Sequence, residues 1–241
     1  DILNLINRYN IEKERILAID KHKTGDEFSK CSISKFSDRV RAFVKIEDGC
    51  DRFCSYCIIP MSRGRVRSKS LSDLKEEIDN LAESGIKEIV LVGINLSAYG
   101  KNEDFNLVDA VRICAENEKI IRVRLGSLEP DHITEDIVFE LSKIDKFCPQ
   151  FHISLQSGCN RTLKNMNRHY SSDEYRQLCN LLRKTFKDTS ITTDIMVGFN
   201  EETEEDFYDS LNFVKEIRFE KVHVFPYSQR EGTNASKKGD S

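Results

Sequence analysis

The chain has 241 residues, 39% of them hydrophobic, with 32% charged residues and a net charge of −4. No apolar run is long enough to cross a bilayer, and there is no overall basic footprint for nucleic acid, so any RNA contact needs a local patch or another module. Eight cysteines without a secretory pattern argue for reduced thiols or metal ligands and against a disulfide framework. Beginning at Asp1 with no signal pattern, the sequence is read as a fragment of a longer cytoplasmic protein, long enough for one large core.

Residues 1–10 place Ile2, Leu5, Ile6 and Tyr9 at helical spacing, like the tail of a helix. Residues 20–38 are polar, carry Gly25 and several Ser and Lys, and read as a linker. From Arg39 the pattern alternates. Strand-like runs fall at 40–46, 88–92, 120–125, 150–155, 190–197 and 221–225, short and apolar enough for buried parallel strands. Between them lie helices marked by Leu74, Ile78 and Leu81 with a stop at Gly85, by Leu107, Val111 and Cys114, and by Ile133, Ile137, Val138 and Leu141. Ser171 and Glu174 form a capping box ahead of Tyr175, Leu178, Leu182 and Phe186. Thr203 caps a last helix in which Phe207, Leu211 and Val214 share a face. The expected fold class is α/β: a partial (β/α)6 barrel like an incomplete TIM barrel, with a parallel sheet and right-handed crossovers. Residues 230–241 lose apolar content and read as a linker leaving the domain.

Cys50, Cys54 and Cys57 stand at C-x3-C-x2-C spacing just after the first strand. Thiolates that close on one loop can converge on a soft metal centre, and three rather than four leave a position open. Other readings remain at this point: a zinc site completed by Cys31 or a His, a dithiol pair of Cys54 with Cys57, or simple core packing. Cys114 and Cys179 sit in helical patterns and read as buried hydrophobes; Cys31, Cys148 and Cys159 carry no assignment.

In such barrels the chemistry gathers where strands end. Here the ends are Gly93-Ile94-Asn95-Leu96-Ser97, Gly126-Ser127-Leu128-Glu129-Pro130, Gln156-Ser157-Gly158, Gly198-Phe199-Asn200 and Pro226-Tyr227-Ser228. Gly, Ser and Asn suit any turn, but Glu129 and Gln156 exceed turn duty. After the cysteine loop Arg63, Arg65, Arg67 and Lys69 alternate. Extended, they would point to one side and meet RNA phosphates; the plainer reading is a solvated loop of salt bridges.

The run from Arg41 through Cys50 to Cys57-Ile58-Ile59-Pro60 and Arg63-Gly64 resembles the signature of the radical S-adenosylmethionine methylthiotransferases. It is most similar to the branch that modifies threonylcarbamoyladenosine in tRNA. Arg63 to Ser68, Ser154 to Gly158, Thr193 to Phe199 and His223 to Ser228 with Arg230 to Thr233 resemble the same branch. The likeness runs from about Arg39 to Ala235. It implies that Cys50, Cys54 and Cys57 hold a 4Fe–4S cluster whose open iron chelates S-adenosylmethionine. Tyr56 then lies beside the adenine, Asn95 near the methionine amino group, and Glu129, Gln156 and Ser127 toward the ribose or methionine end. Arg168 pairs with the methionine carboxylate. Departures are Gly198-Phe199-Asn200-Glu201-Glu202-Thr203, where the family shows Gly-Phe-Pro-Gly-Glu-Thr, the replacement of common prolines by Gln229 and Asn234, and Met61 in place of an aromatic; none touches the three thiols.

The resemblance further implies residues 39–229 as the radical core. Residues 1–38 become the tail and linker of an absent N-terminal methylthiotransferase domain with a second cluster. Residues 230–241 lead toward an absent RNA-binding, TRAM-like domain. It implies tRNA as partner, a reductant such as flavodoxin or ferredoxin, no membrane and a cytoplasmic location. The alternatives are a sister enzyme acting on isopentenyladenosine or on a ribosomal protein aspartate, and a zinc-stabilised RNA-binding barrel.

Overall fold

The computed structural model describes residues 2–18, 22, 26–29 and 39–238. Its frame is a helix-backed parallel sheet. Strand β1 (Arg41–Lys45) alternates exposed and buried residues, turning Ala42 and Val44 toward the helices. It pairs in parallel with β4 (Glu88–Val92), which pairs with β5 (Arg122–Leu125). After a break at Gly126, β6 (Ser127–Leu128) starts a second parallel set with β7 (Gln150–Ile153), β8 (Ser190–Val197) and β9 (Lys221–Pro226). A single bridge, Val123 to Phe147, links the two sets. The strand order follows the chain, leaving β1 and β9 as edges of an unclosed barrel. The expected partial barrel is the fold observed.

Local chemistry sets the helices. Ser70 accepts from the Asp73 N–H to start α3 (Leu71–Glu83), and Gly85, at φ +96°, turns the chain into β4. Capping boxes open α4 (Leu107–Glu116) at Asn106, α7 (Ser172–Thr185) at Ser171 and α8 (Glu204–Ile217) at Thr203; Thr134 caps α5 (Glu135–Ser142). Leu74, Ile78, Leu81, Val111, Leu141, Tyr175 and Leu182 from these helices pack on Ile89, Leu91, Val123, Phe151 and Ile191 in one continuous core. Cys114 and Cys179 are fully buried within it, as expected.

The opposite face of the sheet carries no helix among the described residues, and its outer rows are polar. There Glu88 accepts from Arg41 and Arg124 at 2.8 Å each and from Arg122 at 3.3 Å.

Several expectations need correction. The basic run after the cysteine loop is not an extended one-sided stripe. Arg63 ends a short helix, α2 (Ile59–Arg63), and β2 (Glu47–Asp48) pairs antiparallel with β3 (Arg67–Ser68). That hairpin draws Arg67 onto Asp48 at 3.4 Å and onto the Arg63 and Arg65 carbonyls, while Lys69 is buried in an ion pair with Glu77. Arg65 reaches Asp51 at 3.3 Å. On α8 the deeply buried face is Asp206, Ser210, Phe213 and Ile217. Phe207, Leu211 and Val214 share a face, but it borders an apolar groove along Val197, Val222 and Val224.

Residues 230–238 do not leave as a linker. Thr233 and Ala235 are buried, and Asn200 Nδ2 donates to the Ala235 carbonyl at 2.8 Å. Helix α1 (Ile2–Glu12) forms as its spacing predicts, with Ile2 74% and Ile6 and Tyr9 each 50% exposed. Most of the 20–38 stretch, Cys31 included, lies outside the described residues.

Candidate active site

The three spaced thiols sit on the loop that leaves the first β-hairpin strand, and that loop is held from several directions. Gly49 takes φ +85°, and a Cβ there would lie 2.0 Å from the Arg65 carbonyl oxygen, so only glycine fits. Cys50 N–H donates to Gly64 O at 3.0 Å, and Cys57 N–H to Cys54 O at 3.0 Å. Ser55 donates through its N–H to Met166 O and through its hydroxyl to Asn165 O, and Asn167 Nδ2 donates to Phe53 O at 2.9 Å. These last acceptors and donors come from α6 (Asn160–Asn165) and the turn after it, a helix too short to read from the pattern.

Arg168, on the same turn, is the hub. Its guanidinium is buried, with Nη1 3.3 Å from Cys54 Sγ, Nε donating to Tyr170 Oη at 2.9 Å, and Nη2 to Ser154 O and the Glu129 carboxylate. Of the expected site residues, Arg168, Glu129 and Cys54 are thus in direct contact. Burial pushes the Glu129 carboxyl up, against the pull of Arg168 and Arg52. Ser127 joins through its hydroxyl, 3.2 Å from Ser154 Oγ. Tyr56 packs edge-on against Phe199, ring centres 6.0 Å apart, and Phe199 against Tyr227 at 5.1 Å.

Asn95 follows β4 and Gln156 follows β7, one in each set of strands, and both lie outside this contact set. Both are buried, and the Asn95 Oδ1 and Gln156 Oε1 atoms have no hydrogen-bond partner among the described residues. Gln156 also holds φ +66°, in the left-handed region. A buried amide oxygen without a partner is costly, and two at the strand ends of the open barrel fit a polar ligand. Ser97 ties the loops together, accepting from Glu129 N–H at 2.8 Å.

Two residues escaped the sequence reading. Arg52, between Cys50 and Cys54, grips Asp131 with both forks at 2.5 and 2.8 Å and stands 4.0 Å from Glu129. Glu47 is fully buried under the loop, its Oε2 accepting from Asn95 N–H at 2.7 Å. Burial raises its pKa to about 7. Gly93 makes that space, since a Cβ there would meet Glu47 Oε2 at 2.6 Å. Glycine after an apolar strand was the one available signal.

Burial also pushes the Cys50 thiol up to about 11 and raises Cys57. Among the described residues no three His, Cys, Asp or Glu side chains converge as ligands of a single ion.

The family model of the Radical SAM superfamily matches residues 44–214, from β1 through α8. This chain belongs to the radical SAM superfamily. Its curated relatives include a threonylcarbamoyladenosine tRNA methylthiotransferase, MtaB, of Bacillus subtilis, 36% identical over 99% of this chain and 53% of that protein. A tRNA-2-methylthio-N(6)-dimethylallyladenosine synthase of Clostridium tetani is 44% identical over 81% of this chain and 44% of that protein. The chain thus spans about half the length of the curated relatives it matches. Among solved structures, the radical S-adenosylmethionine methyltransferase TsrM of Kitasatospora setae superimposes with TM-score 0.64 at 15% identity, covering 76% of this chain and 35% of that one, a likeness of fold.

Radical SAM membership implies a 4Fe–4S cluster and S-adenosylmethionine. The residues present fit both: three thiols on one braced loop, a guanidinium against the central sulfur, and orphaned amide oxygens at the adjoining strand ends.

Proposed function

We propose that this chain is the radical core of a tRNA methylthiotransferase that places a methylthio group on C2 of threonylcarbamoyladenosine. The observation that carries the reading is the contact of Arg168 with both Cys54 and Glu129 at the end of the sheet. The methylthiotransferase assignment rests on the names of the relatives, and the threonylcarbamoyl choice on the relative that aligns over nearly the whole chain. Higher identity over a shorter span favours a second reading, dimethylallyladenosine as substrate.

In this reading Cys50, Cys54 and Cys57 hold the cluster, which when bound supplies one electron to the sulfonium of S-adenosylmethionine. The protein's share is aim and environment. Arg168 keeps a fixed positive charge 3.3 Å from the Cys54 sulfur, where it would offset the negative charge of a thiolate-bound cluster. Glu129, held by Arg168 and flanked by Arg52, faces the ribose or methionine end, and Asn95, Gln156 and Ser127 supply hydrogen bonds beside it. Tyr56, set edge-on against Phe199, bounds the adenine.

The exposed apolar face of α1 suits the tail of a preceding domain that carries a second cluster. An RNA-binding domain beyond residue 241, a flavodoxin or ferredoxin reductant and a cytoplasmic setting complete the proposal. None of the helices among the described residues is long and apolar enough to cross a membrane.

The test is anaerobic reconstitution with iron and sulfide, followed by electron paramagnetic resonance with and without S-adenosylmethionine. A spectrum that shifts with the cofactor, and 5′-deoxyadenosine release abolished by alanine at any of the three cysteines, is expected. A spectrum that S-adenosylmethionine leaves unmoved refutes the assignment. This chain alone should cleave S-adenosylmethionine without methylthiolating tRNA.

A further inference from the structure

A sheet of parallel strands is normally apolar and helix-covered on both faces. Here one face carries no helix among the described residues, and its second half carries an ordered polar row. Strand register aligns Ser127, His152, Thr192 and Lys221 across β6, β7, β8 and β9. One inward-facing step further along, Asp194 lies beside His223. His152 binds the row together: Nδ1 is 3.0 Å from Thr192 Oγ1, Nε2 is 3.2 Å from Asp194 Oδ2, and the ring meets His223 edge-on at 6.1 Å. Lys221, in register with Thr192 on the edge strand, has no ion-pair partner among the described residues.

The row continues directly from the candidate active site. Ser127 Oγ is 3.2 Å from Ser154 Oγ, and the Ser154 carbonyl accepts from Arg168, the residue against Cys54. His152 stands two residues before Ser154, a step of roughly 7 Å along the strand. A substrate reaching the cluster from the open face would lie across these side chains.

We propose that Lys221, on a platform set by His152, Thr192 and Asp194, recognises the carboxylate of an acidic group on N6 of the substrate purine. This deepens the methylthiotransferase reading and rests on it. A threonylcarbamoyl group brings a carboxylate, a hydroxyl and amide groups, each with a counterpart in the row. A dimethylallyl group is hydrocarbon only; covering Lys221 with it would desolvate the ammonium without giving it a partner. The plain alternative is that Lys221 merely guards an edge strand against pairing with another chain.

The experiment uses the full-length protein, reconstituted anaerobically, as wild type, Lys221→Met and Lys221→Arg. Two readouts are taken: kcat/KM on tRNA bearing threonylcarbamoyladenosine or dimethylallyladenosine, and calorimetric affinity, without turnover, for the N6-threonylcarbamoyladenosine nucleoside and its methyl ester. Lys221→Met should lower kcat/KM on the acidic tRNA at least about tenfold, the scale of one charge-assisted hydrogen bond. It should also equalise acid and ester affinities, and Lys221→Arg should restore most of the difference. An acid-to-ester ratio unchanged in Lys221→Met overturns the proposal, including when that variant self-associates as a lost edge guard would. If the wild type prefers the acidic tRNA and Lys221→Met does too, only the Lys221 assignment falls; a wild type that modifies dimethylallyladenosine alone removes the substrate reading beneath it.

Discussion

Glu47 offers a quantitative test of how the cluster loop is built. Its carboxyl is fully buried, one oxygen accepts from Asn95 N–H, and burial lifts its pKa from 4.5 to about 7. An acid whose folded pKa lies above its unfolded value keeps its proton longer in the fold. Between pH 4.5 and about 7 the unfolded chain therefore releases a proton that the folded chain retains, and stability falls as pH rises through that window. At about 1.36 kcal/mol per pKa unit the loss amounts to roughly 3 kcal/mol. Glu47→Gln preserves shape, keeps an oxygen for the Asn95 N–H and has no proton to lose. Urea denaturation of wild type and variant should give similar stability at pH 5 and a gap, in favour of the variant, growing to about 3 kcal/mol by pH 8. Glu129 and Glu202 also have raised pKa values, but their contributions cancel in the difference. Parallel stability curves across the range would refute the argument.

Arg168→Met should destabilise the fold by about 3–5 kcal/mol, because it leaves the buried Glu129 carboxylate without its partner; denaturant midpoints measure this. Gly49→Ala should prevent cluster incorporation, seen as iron and sulfide content, since its Cβ would collide with the Arg65 carbonyl. With burial pushing Cys50 up to about 11, cluster loading must expel protons, so incorporation should rise with pH between 6.5 and 8.5 on anaerobic titration followed at the cluster absorbance.

Much of this was legible in the chain because the signals are local. Ser171 with Glu174, Thr203 and the Leu74, Ile78, Leu81 spacing each report on a few consecutive residues, and the structure uses them as read. The three thiols were visible for the same reason. What stayed hidden depends on partners far along the sequence. Arg52 finds Asp131 seventy-nine residues away, and Lys69 becomes a core residue only because α3 brings Glu77 to it. Glu47 is buried because Gly93 has no side chain, a coincidence between two strands that no single-segment pattern contains. Of the two readings of the basic run the salt-bridge one holds, on the same ground: the short antiparallel pairing of β2 with β3 turned alternating charges into separate pairs. Residues 230–238 were misread because composition cannot tell a departing tail from one that docks through its backbone.

That docking has a mechanical consequence. Ala235 N–H donates at 2.7 Å to the carbonyl of Ser55, so a segment past the last strand clasps the loop that follows the first. The hoop that the sheet leaves unfinished is fastened at its rim. Because Ser55 is at the same time pinned by Asn165 and Met166, the sulfur-bearing loop is anchored by two segments distant in sequence, and loosening either one would slacken it.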